Sequence, residues 1–500
     1  MADGWPGVYV RTSQHVAAYG KMMTHCARSR PSAIAFGKGV IPCAGTMRFS
    51  TCTFSGAMCR SVTLVMACAV LCARHIDAFS TTTAAPAKTV TPPGWEELSQ
   101  TLEGLTADDP TETPKVTLYR DTNGWCPFCE RVWVILRAKG IPYDEQQISL
   151  QNKPSWYKAL VPTTLVPAVL FHGDDSANER RIVWESTDIL RALDEEFPDT
   201  PKMMHEDDAN FEAALQMNED LQSAGLAFVY GGRNASLTEE DKMERRSKFL
   251  DELDRLDAAL QEQGDGSFRL GKEFTAIDAI MIPTLERWRY QLPITTDIDI
   301  LDGRPGLVYW FKTMDAYAPY AGRVRGDQYS WVATNSMFLR YFGGGEDKPD
   351  IAAAIKRADE TAQTLSASFA ESMATDEGGK HALEAATKLI SNHEAVVADC
   401  TRTDPISQQH IGRARDTNAA DLVLRSVADA LLRSCNSSGS AITDADLDAM
   451  MELGSDTRKD AALAAKTVAS RLCVPRDMSA DAASVLRGTL AVVADRLEAA

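Results

Sequence analysis

The sequence predicts an α/β domain in the middle of the chain, an all-helical domain after it, and an additional α-helical extension at the end. The first prediction rests on a strand pattern, a cysteine and a helix pattern that follow one another from residue 116 to residue 136. Helical periodicity from residue 211 onward gives the second, and an Ala-rich composition beyond residue 346 gives the third. A chain of 500 residues is too long for one hydrophobic core, which supports this division.

The composition, with 44% hydrophobic and 24% charged residues, is typical of a soluble globular protein. The net charge of -18 argues against nucleic acid as a partner, because a phosphate-binding surface is rich in Lys and Arg. Six of the eleven cysteines lie before residue 90, and Cys126 and Cys129 are the one close pair among the others. This spacing does not predict a disulfide-rich scaffold.

Residues 1–90 are predicted to be a targeting leader. They contain nine Lys or Arg and only two acidic residues, Asp3 and Asp77. Within the segment 58–78, an apolar run has the length of a signal-peptide core and is too short to span a membrane, so we expect no membrane contact once the leader is removed. A Thr, Ala and Pro stretch follows, and the two parts resemble a plastid presequence. We therefore expect a plastid location, with the secretory pathway, the mitochondrion and the cytoplasm as alternatives. Residues 91–114 are predicted to be a linker.

Residues 115–200 predict a βαβ unit at their start. A short strand at 116–119 is followed by a tight turn, then by Cys126 and by Pro127 at the first helical position. A helix pattern comes next, and a second strand is predicted at 148–150.

This order would place Cys126 at a helix N-terminus, where unpaired backbone N–H groups and the helix dipole stabilise a thiolate. Cys126 is therefore the predicted nucleophile. Cys129 lies one turn further along the helix, as a candidate resolving cysteine or as a small core residue. The alternative of a zinc site would need a second pair of Cys or His ligands, and the sequence shows none at a suitable spacing, so no metal is predicted.

Four ordered motifs resemble the cysteine-type glutathione transferases, chiefly the omega and lambda classes and the dehydroascorbate reductases. They are Trp-Cys-Pro-Phe-Cys-Glu-Arg-Val at 125–132, Asn-Lys-Pro-Ser-Trp at 152–156, Leu-Val-Pro-Ala at 165–168 and Trp-Glu-Ser at 184–186. The resemblance runs from residue 116 to about residue 341. It implies a thioredoxin-like domain at 115–200, an all-α transferase domain at 205–341, and glutathione as the co-substrate.

The resemblance also implies a set of glutathione-binding residues, which are Phe128, Lys153, Val166, Pro167, Glu185 and Ser186. Pro167 resembles the cis-proline of the family, which would leave the Val166 backbone free to pair with glutathione. The alternative for Pro167 is a proline at a strand edge. Glu185 and Ser186 precede a helical pattern, so they would receive the γ-glutamyl group, while Ser186 alone could also be an N-cap. Lys153 matches the position that meets the glycyl carboxylate, although a single exposed Lys is often only a solvated charge.

Within 205–341, Leu250, Leu253, Leu256 and Leu260 have the spacing of a buried helix face. Four aromatic residues are candidates to line a cleft for the second substrate, although an aromatic residue at helical spacing more often belongs to the core. They are Tyr230, Trp288, Tyr290 and Trp331.

Residues 346–500 predict a helical extension that resembles no family we recognise. Three helical segments end in Cys400, Cys435 and Cys473, at spacings of 35 and 38 residues. This period is typical of stacked helical hairpins, so we expect a small helical array or a bundle. The extension is a candidate site for a protein partner.

The leading functional prediction is a glutathione-dependent thiol transferase that uses a mixed disulfide between Cys126 and glutathione. Its second substrate would be dehydroascorbate or another small molecule, or a protein disulfide. Conjugation of glutathione to electrophiles is less expected, because that chemistry uses a Ser or Tyr hydroxyl. The alternative is a non-catalytic, redox-responsive protein that binds glutathione or another ligand and recruits partners through its extension.

Overall fold

The computed structural model describes residues 91–107, 112–173, 181–229, 237–264, 267–342, 347–376, 379–402, 413–435 and 442–499. The predicted targeting leader at 1–90 and the cleft candidate Tyr230 lie outside the described residues. None of the helices within these ranges is long and apolar enough to cross a membrane.

The described residues contain four strands and seventeen helices. The strands are β1 (Val116–Asp121), β2 (Tyr143–Ile148), β3 (Ala168–Phe171) and β4 (Arg181–Trp184). The helices up to residue 342 are α1 (Trp95–Thr106), α2 (Pro127–Ala138), α3 (Ser155–Leu160), α4 (Ser186–Glu196), α5 (Ala209–Val229), α6 (Glu239–Gln261), α7 (Ala276–Thr295), α8 (Pro305–Ala316), α9 (Ala318–Ala321) and α10 (Gln328–Phe342). The helices of the extension are α11 (Pro349–Ala367), α12 (Lys380–Ser391), α13 (His393–Cys400), α14 (Thr417–Ser434), α15 (Asp444–Met451), α16 (Ser455–Arg471) and α17 (Ala480–Glu498).

The sheet has the order β2-β1-β3-β4, in which β1 and β2 are parallel and the other two pairs are antiparallel. The connection from β1 through α2 to β2 is the predicted βαβ unit, and the whole arrangement is a thioredoxin-like domain. Val132, Ile135 and Leu136 of α2 are fully buried, as their helical spacing predicts.

The second strand lies earlier than the sequence predicts, at Tyr143–Ile148 rather than 148–150. It is an edge strand, and most of its side chains are partly or fully exposed. This strand consists mainly of polar residues, so the pattern of apolar residues does not predict its position.

One hydrophobic core extends from α2 and the sheet into the all-helical domain. Leu253, Leu256 and Leu260 of α6 belong to it, which confirms that the predicted stripe is a core face. Trp288 of α7 is also part of this core, so it packs inside the domain.

The extension forms a helical bundle with its own core rather than a linear array. Helix α12 contacts both α14 and α17, so elements far apart in sequence meet, whereas repeats in an array contact only their neighbours. The core residues of α12, α14, α16 and α17 form one cluster.

Helix α1 belongs to this bundle, although residues 91–114 were expected to be a linker. Leu98 of α1 is buried in the core of the extension. The indole Nε1 of Trp95 donates a 2.7 Å hydrogen bond to Asp421, and the Trp95 ring stacks on His393 at 4.5 Å between ring centroids. The apolar spacing of Trp95, Leu98, Leu102 and Leu105 is helical, and burial against a distant part of the chain stabilises the helix.

Candidate active site

The turn between β1 and α2 is held by Asp121, the last residue of β1. Its buried carboxylate accepts hydrogen bonds from the backbone N–H groups of Trp125, at 2.8 Å, and Cys126, at 3.2 Å. These two bonds fix the direction in which the chain enters α2. Sequence reasoning missed Asp121, although an Asp at the start of a turn is a recognisable signal for a side chain that bonds to the backbone ahead of it.

Cys126 occupies the N-cap position of α2, and Pro127 is the first helical residue. The side chain is partly buried, and its sulfur lies 3.8 Å from the carbonyl oxygen of Val166. The sulfur is therefore at the positive end of the helix, beside the backbone that precedes β3.

Cys129 lies one turn into α2 and is only 2% exposed. Its sulfur is within 4.8 Å of the Cys126 sulfur, and both cysteines are free thiols in this structure. Burial raises the pKa of Cys129 well above its usual value, and a hydrogen bond with Cys126 raises it further. Cys129 therefore stays protonated, as a thiol that can donate to the Cys126 sulfur.

The side chains of Asp121, Cys126 and Cys129 all offer a donor atom within 4.8 Å of one another, which is a spacing that a metal ion could use. Both carboxylate oxygens of Asp121 already accept backbone hydrogen bonds. The raised pKa of Cys129 also opposes the thiolate that a metal would need. The geometry thus favours a hydrogen-bonded cluster over a metal centre, and the absence of a metal remains a prediction.

The peptide bond between Val166 and Pro167 is cis, as the resemblance implies. Val166 lies outside the sheet ladder, since β3 begins at Ala168. No acceptor for its backbone N–H is found among the described residues. A strand-like peptide could therefore pair with this backbone beside the Cys126 sulfur.

Glu185 and Ser186 lie next to this segment because β3 and β4 are antiparallel. Ala168 pairs with Trp184 at the last position of this ladder, and Glu185 and Ser186 directly follow Trp184, just as Val166 and Pro167 directly precede Ala168.

Glu185, rather than Ser186, is the N-cap of α4, and Ser186 is the first helical residue. Glu185 has a φ of 70°, a left-handed conformation that is strained for this residue type. Within the described ranges, no residue forms a hydrogen bond with the side chain of Glu185 or of Ser186. Burial raises the pKa of Glu185, and the charge of Asp188 adds to the effect.

Lys153 and Phe128 are the other two predicted binding residues. Lys153 is partly buried, which lowers its pKa, while the nearby Cys126 charge acts in the opposite direction. Lys153 is thus close enough to the nucleophile for their charges to interact. Phe128 lies in the first turn of α2, where its ring packs 4.8 Å from the Arg131 guanidinium carbon.

Arg287 of α7 links the all-helical domain to this turn, and sequence reasoning missed it. It donates a 3.0 Å hydrogen bond to the backbone oxygen of Trp125 and a 2.8 Å hydrogen bond to Glu130. Its guanidinium also stacks on Trp331, 4.4 Å from the ring centroid. Trp331, one of the cleft candidates, is therefore a buried support for Arg287.

Glu286 adds a second buried carboxylate to the same region. It accepts hydrogen bonds from the Tyr320 hydroxyl, at 2.7 Å, and from the Gly326 backbone N–H, at 2.9 Å. Burial and then the charge of Glu130 raise the pKa of Glu286 to about 8. Arg287 forms its ion pair with Glu130 rather than with Glu286, so its charge only partly offsets these two effects on Glu286.

The chain is similar in sequence to several known proteins. The sequence model of the family described as glutathione S-transferase, N-terminal domain, matches residues 125–196. Glutathione S-transferase L1 of Arabidopsis thaliana is 32% identical over 199 residues, which are 39% of this chain and 76% of that protein. Glutathione S-transferase DHAR3, chloroplastic, of Arabidopsis thaliana is 26% identical over 182 residues, which are 36% of this chain and 62% of that protein. A solved structure, glutathione transferase Omega 3C from Trametes versicolor, is 20% identical with a TM-score of 0.35, and the match covers 44% of this chain and 92% of that one.

The sheet order and the cysteine at the N-terminus of α2 define a thioredoxin-fold protein with a thiol at its site. The likeness to glutathione S-transferase L1 extends over 76% of that relative and shows the family. The chain belongs to the glutathione transferases and is an enzyme of that family. The match accounts for 39% of the chain, so the chain is much longer than this relative.

Proposed function

We propose that this enzyme is a glutathione-dependent thiol transferase with Cys126 as its nucleophile. The observation that carries the proposal is the position of the Cys126 sulfur, at the N-terminus of α2 and 3.8 Å from the Val166 carbonyl oxygen. A protein thiol in this position captures a sulfur of the substrate as a disulfide, whereas a Ser or Tyr hydroxyl would only stabilise the glutathione thiolate.

The reaction proceeds in two exchanges. In the first, the Cys126 thiolate attacks the glutathione sulfur of a glutathionylated substrate, the substrate's S–S bond breaks, and the substrate leaves as a thiolate that takes a proton from solvent. In the second, the thiolate of free glutathione attacks the glutathione sulfur bound to Cys126. Oxidised glutathione leaves, and the Cys126 thiolate is restored.

The first exchange needs glutathione to lie along the Val166 backbone, with its γ-glutamyl group at the start of α4. The N–H groups at that helix start and the Ser186 hydroxyl would bind the carboxylate, and Glu185 would bind the adjacent amine. Lys153 would meet the glycyl carboxylate. Among the residues that the structure describes, none forms a hydrogen bond with the Val166 N–H or with the Glu185 and Ser186 side chains, which supports this assignment.

Cys129 is proposed to act as a hydrogen-bond donor to the Cys126 sulfur rather than as a resolving cysteine. Its 2% exposure and raised pKa both disfavour the thiolate that a resolving step requires.

The second substrate is a separate question. The likeness to the protein named DHAR3 supports dehydroascorbate as one substrate that accepts electrons from glutathione. Two molecules of glutathione would supply the two electrons of that reduction.

The test is glutathione-dependent turnover of a glutathionylated peptide and of dehydroascorbate by residues 91–500. We expect turnover of the peptide, its loss in Cys126→Ser, and retention of glutathione binding in that variant. Cys435→Ser is the matched control, since Cys435 is another partly buried thiol that lies in the extension. Glutathione binding without turnover in the unchanged protein would instead support the non-catalytic binding protein.

We also propose that residues 1–90 direct the enzyme to a plastid. The leader pattern in the sequence supports this, as do the relatives whose names include the word chloroplastic, such as glutathione S-transferase L2 of Arabidopsis thaliana. A fluorescent protein fused after residue 90 should accumulate in plastids, whereas the same fusion without residues 1–90 should not. Import into mitochondria or secretion would contradict the proposal.

A further inference from the structure

The loop between α16 and α17 lies directly against the turn that carries Cys126. We call residues 472–476 the brace loop. A Cβ atom built on Gly124 would lie 3.3 Å from the backbone nitrogen of Arg476 and 3.5 Å from Cγ of Pro475. The extension therefore packs onto the active-site turn so closely that a side chain at Gly124 would press on the loop.

Trp125, the residue before the nucleophile, also contacts this region. Its ring lies 5.2 Å from that of Phe338 on α10, measured between centroids. Burial raises the pKa of Cys473 in the brace loop. The charge of Arg476 opposes that effect most, and the Trp125 indole N–H, which lies near the sulfur without forming a hydrogen bond, opposes it less. The oxygen of Thr334 on α10 lies 3.9 Å from the same sulfur. The Trp125 side chain is thus bounded by α10 and by the brace loop.

Arg487 on α17 ties the brace loop to α10. Its guanidinium is 4% exposed and reaches the carboxylate of Asp327 at 2.5 Å, the hydroxyl of Ser330 at 3.0 Å and the backbone oxygen of Leu472 at 2.6 Å. The Ser330 hydroxyl in turn accepts a 2.9 Å hydrogen bond from the Val474 backbone N–H. The buried Arg487 side chain therefore connects the brace loop, at Leu472, to the start of α10, at Ser330.

Arg323 makes a further link from the transferase domain. It donates a 2.5 Å hydrogen bond to the backbone oxygen of Pro475, and its guanidinium packs on Trp133 of α2 at 4.6 Å from the ring centroid. The brace loop is thus connected to α2 as well as to the turn that precedes it.

We propose that the brace loop positions the Cys126 turn and that Arg487 is a positioning residue for thiol transfer. The proposal rests on the proposed function and extends it, because it makes the extension part of the catalytic unit. Arg487 acts through Gly124 and Trp125 by holding the loop against them. Small displacements matter, because reactivity at a helix N-terminus depends on how the N–H groups face the sulfur, and a shift of about 1 Å can cost about 100-fold in rate.

The first test compares Arg487→Ala, Arg487→Lys and the control Arg340→Ala. Arg340 forms a similarly buried ion pair with Asp359, at 2.6 Å, but joins α10 to α11 rather than to the brace loop. The readouts are the rate at which iodoacetamide alkylates Cys126, followed by peptide mass spectrometry, and the separate values of kcat and KM. We expect Arg487→Ala to slow Cys126 alkylation and kcat by about 10-fold or more, Arg487→Lys to recover part of the loss, and Arg340→Ala to leave both unchanged.

The second test uses two glycines that share a left-handed conformation. Gly124 has a φ of 67° and Gly140 a φ of 65°, but a Cβ on Gly140 would have nothing within 4 Å. Replacing either by Ala brings the same backbone strain, and only Gly124→Ala also presses on the brace loop. We expect both variants to lose stability, Gly124→Ala more than Gly140→Ala, and only Gly124→Ala to slow Cys126 alkylation. In the double variant with Arg487→Ala, the two effects should be less than additive.

An unchanged alkylation rate in folded Arg487→Ala would overturn the proposal, and so would full additivity in the double variant. If Arg487→Ala does not fold, the glycine pair decides, since equal alkylation rates in both glycine variants would also overturn it. The alkylation rate needs no turnover. An unchanged protein that lacks turnover would therefore refute the proposed function while the effect of the brace loop is still measured.

Discussion

Arg287 donates a 3.0 Å hydrogen bond to the backbone carbonyl oxygen of Trp125, a residue 162 positions earlier in the chain. The same guanidinium pairs with Glu130, one residue after Cys129. The all-helical domain therefore supports both the active-site turn and the first turn of α2 through one side chain.

Replacing Arg287 by Met should destabilise the protein by about 3 to 5 kcal/mol, because Glu130 would be left as a buried carboxylate without its cation. Urea unfolding measures the loss. The double variant Glu130→Gln with Arg287→Met should recover most of it. Arg289→Met is the control: its partner Asp315 is 3.2 Å away and both side chains are more exposed, so the cost should be about 1 kcal/mol or less. Equal costs for the two single variants would contradict this account.

Glu286 should make stability depend on pH. Its pKa in the folded protein is raised from an ordinary value of 4.5 to about 8, so between those values the folded state holds a proton that the unfolded chain releases. The contribution of Glu286 to the free energy of unfolding should therefore be greatest below pH 4.5. It should fall as the pH rises toward 8, by up to about 1.4 kcal/mol per pH unit. Glu286→Gln should lower the pH dependence of the free energy of unfolding by the equivalent of about one proton, which urea unfolding at several pH values measures. Glu212→Gln, at an exposed position, is the control. An unchanged slope in Glu286→Gln would show that this carboxyl does not hold the proton.

Cys129 and Cys126 should respond differently to substitution. Cys126→Ser should lose about 1,000-fold or more of thiol-transfer activity, since it removes the nucleophile. Cys129→Ser keeps a donor and should retain activity within about threefold, whereas Cys129→Ala removes the donor toward the Cys126 sulfur and should lose about fivefold. Steady-state turnover of a glutathionylated peptide separates these cases. Loss in Cys129→Ser as large as that in Cys126→Ser would restore a resolving role for Cys129.

Asp121 should be required for the shape of the turn. In Asp121→Asn only one side-chain oxygen remains to accept the two backbone N–H groups, so we expect a loss of about 1 to 3 kcal/mol and slower alkylation of Cys126. Asp208→Asn is the matched control, because Asp208 also accepts from a backbone N–H, that of Asn210 at 2.8 Å, but lies on the surface. Thermal unfolding compares the two. A loss no greater than in the control would exclude Asp121 as the residue that holds the turn.

The parts of the fold that were predictable have local causes. Pro127 places a helix start directly after Cys126, and the spacing of Leu253, Leu256 and Leu260 marks a buried face, so both were found from short windows of sequence. The helical nature of the extension followed from its Ala-rich composition in the same way.

The parts that were not predictable depend on contacts between distant segments. Helix α1 has a helical apolar spacing of its own, but it packs against Asp421 and His393, which follow Trp95 by more than 290 residues, so its burial could not be predicted from its own sequence. The local sequence does not distinguish Arg287 and Arg487 from other helical arginines. Only the folded structure places Arg287 against Trp125 and Arg487 against the brace loop. Their roles follow from three-dimensional packing, which no local pattern encodes.

The most direct test of the central claim is to find the glutathione that Cys126 is proposed to capture. The protein would be incubated with a glutathionylated peptide in the absence of free glutathione, digested without reductant, and mapped by mass spectrometry. We predict a glutathione disulfide on Cys126, its removal when free glutathione is added, and its absence from Cys129 and from Cys126→Ser. Glutathione on another cysteine, or an unmodified Cys126 in a folded and glutathione-binding protein, would contradict the mechanism.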